Sequence, residues 1–123
     1  MKRVLVVDDD DGMRELMVTL LSSTYDVTSA ENGLEGLELA RRLHPDLVVL
    51  DLLMPVMHGF EVCQRIRSDA ELKDTKVLIS SSKSYPHDMT TAIEETGADS
   101  YIVKPFEIAE FRSRVAALLG KAA

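Results

Sequence analysis

Leu47-Val48-Val49-Leu50-Asp51 is four consecutive apolar residues closed by an acid, and Val4-Leu5-Val6-Val7 followed by Asp8 repeats the pattern. Neither run alternates apolar with polar, so each needs cover on both faces, the mark of a strand in a parallel sheet sandwiched by helices. Val77-Leu78-Ile79 and Tyr101-Ile102-Val103 are runs of the same kind, and Tyr25-Asp26-Val27-Thr28-Ser29-Ala30 is weaker, as suits an edge strand. Between the runs the apolar spacing changes to the helical period. Met13, Leu16, Met17, Leu20 and Leu21 mark one helix, opened by an aspartate at its cap, and Leu34, Leu37, Leu39 and Ala40 mark a second, entered through Asn32-Gly33. Phe60, Val62, Cys63 and Ile66 give a third, residues 88–96 a weak fourth ending at Gly97, and Ile108, Phe111, Val115, Leu118 and Leu119 the last. Five strands alternating with five helices, joined by right-handed crossovers, predict an α/β fold: a (βα)5 doubly wound parallel sheet.

Composition narrows the function. The chain has 123 residues, 46% of them hydrophobic, which fits one domain over residues 1–123 with a real core and excludes whole-chain disorder. Whether that domain stands alone or belongs to a longer chain is left open. With 14 Lys and Arg against 21 Asp and Glu, the net charge of −7 argues against direct nucleic-acid binding. A single cysteine, Cys63, excludes an internal disulfide and a cysteine zinc site, and helical spacing places it in the core. Met1-Lys2-Arg3 carries the charge of a signal-peptide start, but only four apolar residues follow before the aspartates, so no export or membrane segment is predicted and the expected location is cytoplasmic.

In an open parallel sheet, ligands bind beyond the carboxyl ends of the strands. The first run ends in Asp8-Asp9-Asp10-Asp11, the third in Asp51, the fourth in Ser80-Ser81-Ser82 and the fifth in Lys104-Pro105. Each piece alone has an ordinary reading: aspartates cap and complement a helix N-terminus, serines make turns, Lys-Pro makes a loop. Their convergence on one rim is what calls for a site. Carboxylates from two neighbouring strands repel at close range unless one takes a proton or a hard divalent cation sits between them, and Mg2+ (or Mn2+) suits one or two carboxylates with phosphate oxygens. Lys104 can pair with a carboxylate or a transferring phosphoryl group, Ser81 offers a hydroxyl, and an aspartate can itself be the nucleophile.

The segments Val6-Val7-Asp8-Asp9-Asp10, Arg14-Glu15-Leu16, Ala30-Glu31-Asn32-Gly33, the run from Pro45 through Asp51 to Pro55 with Gly59 after it, and Gly97 through Phe106 resemble the receiver domain of two-component response regulators, over essentially the whole chain. The resemblance implies the strand order 2-1-3-4-5 and a role for each site residue. Asp51 is the expected phosphoacceptor; Asp8, Asp9, Asp51 and the backbone carbonyl of Leu53 are the expected Mg2+ ligands. Asp10 and Asp11 are then cap and surface. Ser81 takes the switch-hydroxyl position, with Ser80 and Ser82 fitting less well by register. Lys104 binds a phosphoryl oxygen, its bond to Pro105 is cis, and Tyr101 is the aromatic that turns inward when Ser81 engages the phosphate. The implied partners are a histidine kinase or phosphotransfer protein, and downstream a protein partner or a second copy, met by the surface of the fourth helix, fifth strand and fifth helix. The chain is then a switch, not an enzyme beyond its own phosphorylation and slow dephosphorylation.

Two departures stand out. His58 occupies a place where an acid often precedes the glycine and reads as a solvated loop histidine, as do His44 and His87. Leu53 and Lys83 lie where phosphoryl lifetime is tuned, and Leu53 has no polar group to orient an attacking water, which predicts slow self-dephosphorylation. Two other classes compete. A haloacid-dehalogenase-like phosphatase would use Asp8 and Asp10, but Gly12 and the chain length fit it poorly. A flavodoxin-like cofactor binder would need a phosphate-cradling loop where aspartates stand. A receiver reduced to binding alone is disfavoured by the completeness of the acid, hydroxyl and amine set.

Overall fold

The computed structural model describes residues 1–82 and 97–120. Five strands, β1 (Arg3–Val7), β2 (Asp26–Ala30), β3 (Leu47–Asp51), β4 (Lys76–Ser81) and β5 (Ser100–Val103), form one sheet in the order β2-β1-β3-β4-β5. All four pairings are parallel. Helices α1 (Asp11–Leu21), α2 (Gly33–Leu43), α3 (Gly59–Ser68) and α4 (Ile108–Leu119) complete the described elements. The weak helical stretch predicted over 88–96 lies outside the described residues, as do Lys83 and His87.

Strand alternation divides the core in two. Leu5, Val7, Val48, Leu50, Val77 and Ile79 face α2 and α3, while Val4, Val6, Leu47, Val49, Leu78 and Ile102 face α1 and α4. The helices show their capping chemistry plainly. Asp10 caps α1, accepting from the Gly12 amide at 3.1 Å, and Asn32 caps α2, accepting from Glu35 N–H at 2.9 Å.

Several positions differ from the periodicity reading. Leu16, Leu34 and Ile108 have helical spacing yet are exposed, because each helix buries only a narrow stripe against the sheet. In α2 part of that stripe is glycine: a Cβ on Gly36 would meet the Val7 methyls at 2.7 and 2.9 Å, so the helix lies too close to β1 for a side chain there. His58 is exposed in the loop, as expected, and also serves as the N-cap of α3, its Nδ1 accepting from Phe60 N–H at 3.3 Å. His44 closes α2 as a left-handed C-cap, with φ of 48°.

Candidate functional site

The site forms where the face packed on α1 and α4 runs out of apolar residues. Two residues beyond Val6 on β1 comes Asp8; two beyond Val49 on β3 comes Asp51; two beyond Leu78 on β4 comes Ser80; two beyond Ile102 on β5 comes Lys104. Period-two alternation puts these four on one side of the sheet, at its carboxyl edge. Asp8, Asp51 and Ser80 are buried, and Lys104 is mostly so.

Asp8 is held by four partners. Its amide donates to Ala30 O at 3.2 Å, extending the β1–β2 ladder, and its carbonyl accepts from Arg14 Nη1 at 2.9 Å. Its Oδ1 accepts the Asp10 amide at 2.9 Å, and its Oδ2 receives Lys104 Nζ at 3.0 Å. The same ammonium lies 3.4 Å from Asp51 Oδ1. One ligand oxygen from each of Asp8, Asp9 and Asp51 lies within 4.8 Å of the others. Asp9, unlike the other two, is exposed and faces the open side.

Three carboxyls therefore meet where one ammonium touches two of them, and the charge does not balance. Asp51 shows the consequence. Burial raises its pKa, the Lys104 charge pulls it down, and the Asp8 charge with a bond to Asp9 pushes it up again; the outcome is about 7, against 3.8 for an ordinary aspartate. Lys104 is also shifted upward. Burial opposes its charge, but the Asp8 hydrogen bond and the two carboxylates outweigh that and hold its pKa above the usual lysine value. The carboxylate oxygens of Asp8, Asp9 and Asp51 converge within 4.8 Å of one another, and a hard divalent cation fits that donor set.

The remaining predicted positions fall around this centre. Ser81 is fully buried at the end of β4, its carbonyl accepting the Lys104 amide at 2.7 Å. Alternation puts Ser81 on the other side of the sheet from Asp51, with Ile79 and Tyr101, so that its hydroxyl must reach the site around the strand end. Tyr101 is already inward, with 5% exposure. The Lys104–Pro105 peptide is cis. Leu53 sits in the β3–α3 loop with an exposed side chain. Asp10 and Asp11 stay outside the carboxyl trio: the first is the α1 cap, the second pairs with Arg14.

Sequence reasoning gave no role to two residues that build the site. Arg14 clamps the Asp8 carbonyl from the first turn of α1, and an arginine just after an acidic run was the available signal. Gly59 lets α3 start directly over the end of β3; a Cβ there would lie 2.3 Å from Asp51 O and 2.9 Å from Leu52 Cα.

A family model for the response regulator receiver domain matches residues 4–116, and the chain belongs to that family. Receiver domains are the phosphorylation-controlled switches of two-component systems, signalling elements and not enzymes in the ordinary sense, working between histidine kinases and downstream partners. Among curated relatives, the "DNA-binding dual master transcriptional regulator RpaA" of Synechocystis is 41% identical over 97% of this chain and 49% of its own length. The response regulator MprA of a Mycobacterium species is 39% identical over 95% of this chain and 50% of its own. The chain thus spans about half the length of these relatives. Among solved structures, the Vibrio cholerae chemotaxis response regulator CheY4 superposes with a TM-score of 0.90 at 30% identity, covering 97% of this chain and 99% of that one. A structure described as the beryllofluoride-activated DrrB receiver domain superposes with a TM-score of 0.87 at 27% identity, covering 98% and 99%. Among the described residues, no helix is long and apolar enough to cross a membrane.

Proposed function

We propose that this chain receives a phosphoryl group on Asp51 from the phosphohistidine of a partner kinase or phosphotransfer protein, and passes the change to a downstream protein or a second copy. The observation that carries the reading is the meeting of Asp8, Asp9 and Asp51 within 4.8 Å under one ammonium, Lys104. Asp8, Asp9, Asp51 and the Leu53 carbonyl would hold Mg2+ (or Mn2+), which when bound supplies charge neutralisation to the carboxyls and to phosphoryl oxygens. The Asp51 carboxylate attacks phosphorus, the P–N bond to the donor imidazole breaks, and the departing imidazole takes up a proton at that nitrogen. Lys104, freed from sharing both carboxylates, pairs with a phosphoryl oxygen. Ser81 turns its hydroxyl round the end of β4 to a second oxygen, and Tyr101 packs on the side that Ser81 leaves. The β5 and α4 surfaces, with the segment over 88–96, then carry the altered shape to the partner. The reading makes residues 1–123 one module acting in the cytoplasm, with no nucleic-acid contact of its own. The transcriptional relatives suggest that its message can end in gene control.

Acetyl phosphate with Mg2+, followed by borohydride trapping of the acyl phosphate and peptide mapping, tests this. Label on Asp51 is expected. Label on Asp8 would point to a phosphatase, and no label to a binding module.

A further inference from the structure

Ser80 stands apart from the other polar residues of the sheet edge. Its side chain is fully buried, and among the described residues its Oγ has no hydrogen-bond partner. A buried hydroxyl without a partner gives up its bonds to water and gains none, so a strand that needed only packing would be better served by alanine or valine. The place of the orphan is specific. Ser80 is the register partner of Asp51 across β3–β4, where neighbouring strands lie about 4.8 Å apart, and the Leu52 amide donates to Ser80 O at 3.3 Å. It occupies the same row as Asp8, Asp51 and Lys104, on the side of the sheet opposite Ser81. The other members of that row are paired with one another: Lys104 with Asp8 and Asp51. Among the described residues, the Ser80 hydroxyl is the member of that row left without a bond.

We infer that Ser80 is a positioning residue for Asp51, its hydroxyl donating to the Asp51 carboxyl oxygen once that group has turned to carry a phosphoryl group, so that Ser80 gains its partner only in the modified state. This rests on the proposed function and deepens it. In the unmodified protein the Lys104 ammonium lies 3.4 Å from Asp51 Oδ1. Moving that ammonium to a phosphoryl oxygen leaves a carboxyl oxygen to be satisfied, and the register partner of Asp51 across the ladder, a side chain with a proton to give, is Ser80. The two β4 hydroxyls then divide the work: Ser81 answers the phosphoryl group, Ser80 the carboxyl that bears it.

The test compares thermal unfolding of wild type, Ser80→Ala and Ser80→Thr, with and without Mg2+ plus beryllofluoride. Without ligand, Ser80→Ala should melt about 2–5 °C higher than wild type, because the orphan is gone. With ligand, its upward shift should be smaller than that of wild type, and Ser80→Thr, which keeps a hydroxyl, should recover the larger shift. Labelling of Asp51 by acetyl phosphate should slow by about tenfold in Ser80→Ala, as for the loss of a hydrogen bond to a charged group. Equal ligand-induced shifts in wild type and Ser80→Ala would overturn the inference while leaving the proposed function standing. No shift in wild type would overturn both.

Discussion

At the scale of single residues, Asp51 sets the behaviour with pH. Its folded pKa of about 7 lies above the ordinary 3.8, so the folded state holds the proton more tightly than the unfolded chain between those values. The stabilisation from that proton is fully present below about pH 4 and is lost as the pH rises through about 7. Metal-free wild type should therefore lose melting temperature over that window relative to Asp51→Asn, and Mg2+, which competes with the proton, should bind more tightly as the pH rises through it. Thermal melts and calorimetric Mg2+ titrations from about pH 5 to 8 check both, and parallel melting curves for the two proteins would count against the assignment. Val56 makes a different prediction. It is β-branched, 80% exposed, and held at φ of 72°, a left-handed conformation that side chains like it resist. Val56→Gly should raise stability by about 0.5–1 kcal/mol, read from the midpoint of urea unfolding. Leu53 bears on kinetics: with no polar group to orient water, it should leave the acyl phosphate long-lived, and Leu53→Asn should speed its decay, measured on the isolated phosphoprotein.

At the scale of elements, the junction between β3 and α3 ties stability to the site. Gly59 has backbone atoms of Asp51 and Leu52 where a Cβ would go, and backbone cannot yield as a side chain can. Gly59→Ala should cost about 2 kcal/mol and weaken Mg2+ binding as well, because relief of the clash moves the carboxyl end of β3. At the other end of α3, Arg67 ties the helix to the chain around β4 and β5. Its guanidinium donates to the carbonyls of Gly97, Lys73 and Thr75 and pairs with Asp99 at 2.7 Å, and Asp99 also accepts the Val77 amide. Arg67→Met keeps the stem and loses all four bonds, and should cost about 2 kcal/mol in chemical denaturation. Arg114→Met, which gives up an exposed pair with Glu110 and one bond to the Ser100 hydroxyl, should cost no more than about 1 kcal/mol.

At the scale of the whole molecule, the sheet was readable because its strands are buried on both faces, and burial on both faces leaves uninterrupted apolar runs. The five predicted runs match β1 to β5 to within one or two residues at each end. The helices were less legible. Leu16 and Leu34 carry the right spacing but face water, while Gly33 and Gly36, which no hydropathy pattern flags, occupy the buried stripe of α2. Long-range polar ties were invisible for a plainer reason: Arg67 meets Gly97 and Asp99 across 30 and 32 residues of sequence. At the site, the rule that ligands meet strand ends pointed to the Asp8–Asp11 run, Asp51 and Lys104, the family resemblance singled out Asp8 and Asp9 within that run, and the structure brings Asp8, Asp9, Asp51 and Lys104 to one rim. Ser80 was passed over because register favoured Ser81 for the family's switch hydroxyl, and β4 runs through Ser81, which leaves Ser80 inside the strand beside Asp51.

Everything in the proposed switch depends on one divalent ion reaching the three carboxyls at once. Substoichiometric Mn2+ added to the isotopically labelled protein broadens the amide resonances nearest the bound ion, and so locates it directly. The account predicts early loss of the Asp8, Asp9, Asp51 and Leu53 signals in wild type, and their persistence at the same Mn2+ level in Asp9→Asn. Broadening centred on Asp10 and Asp11, or on the acids of α3, or spread evenly over the acidic surface, would contradict it.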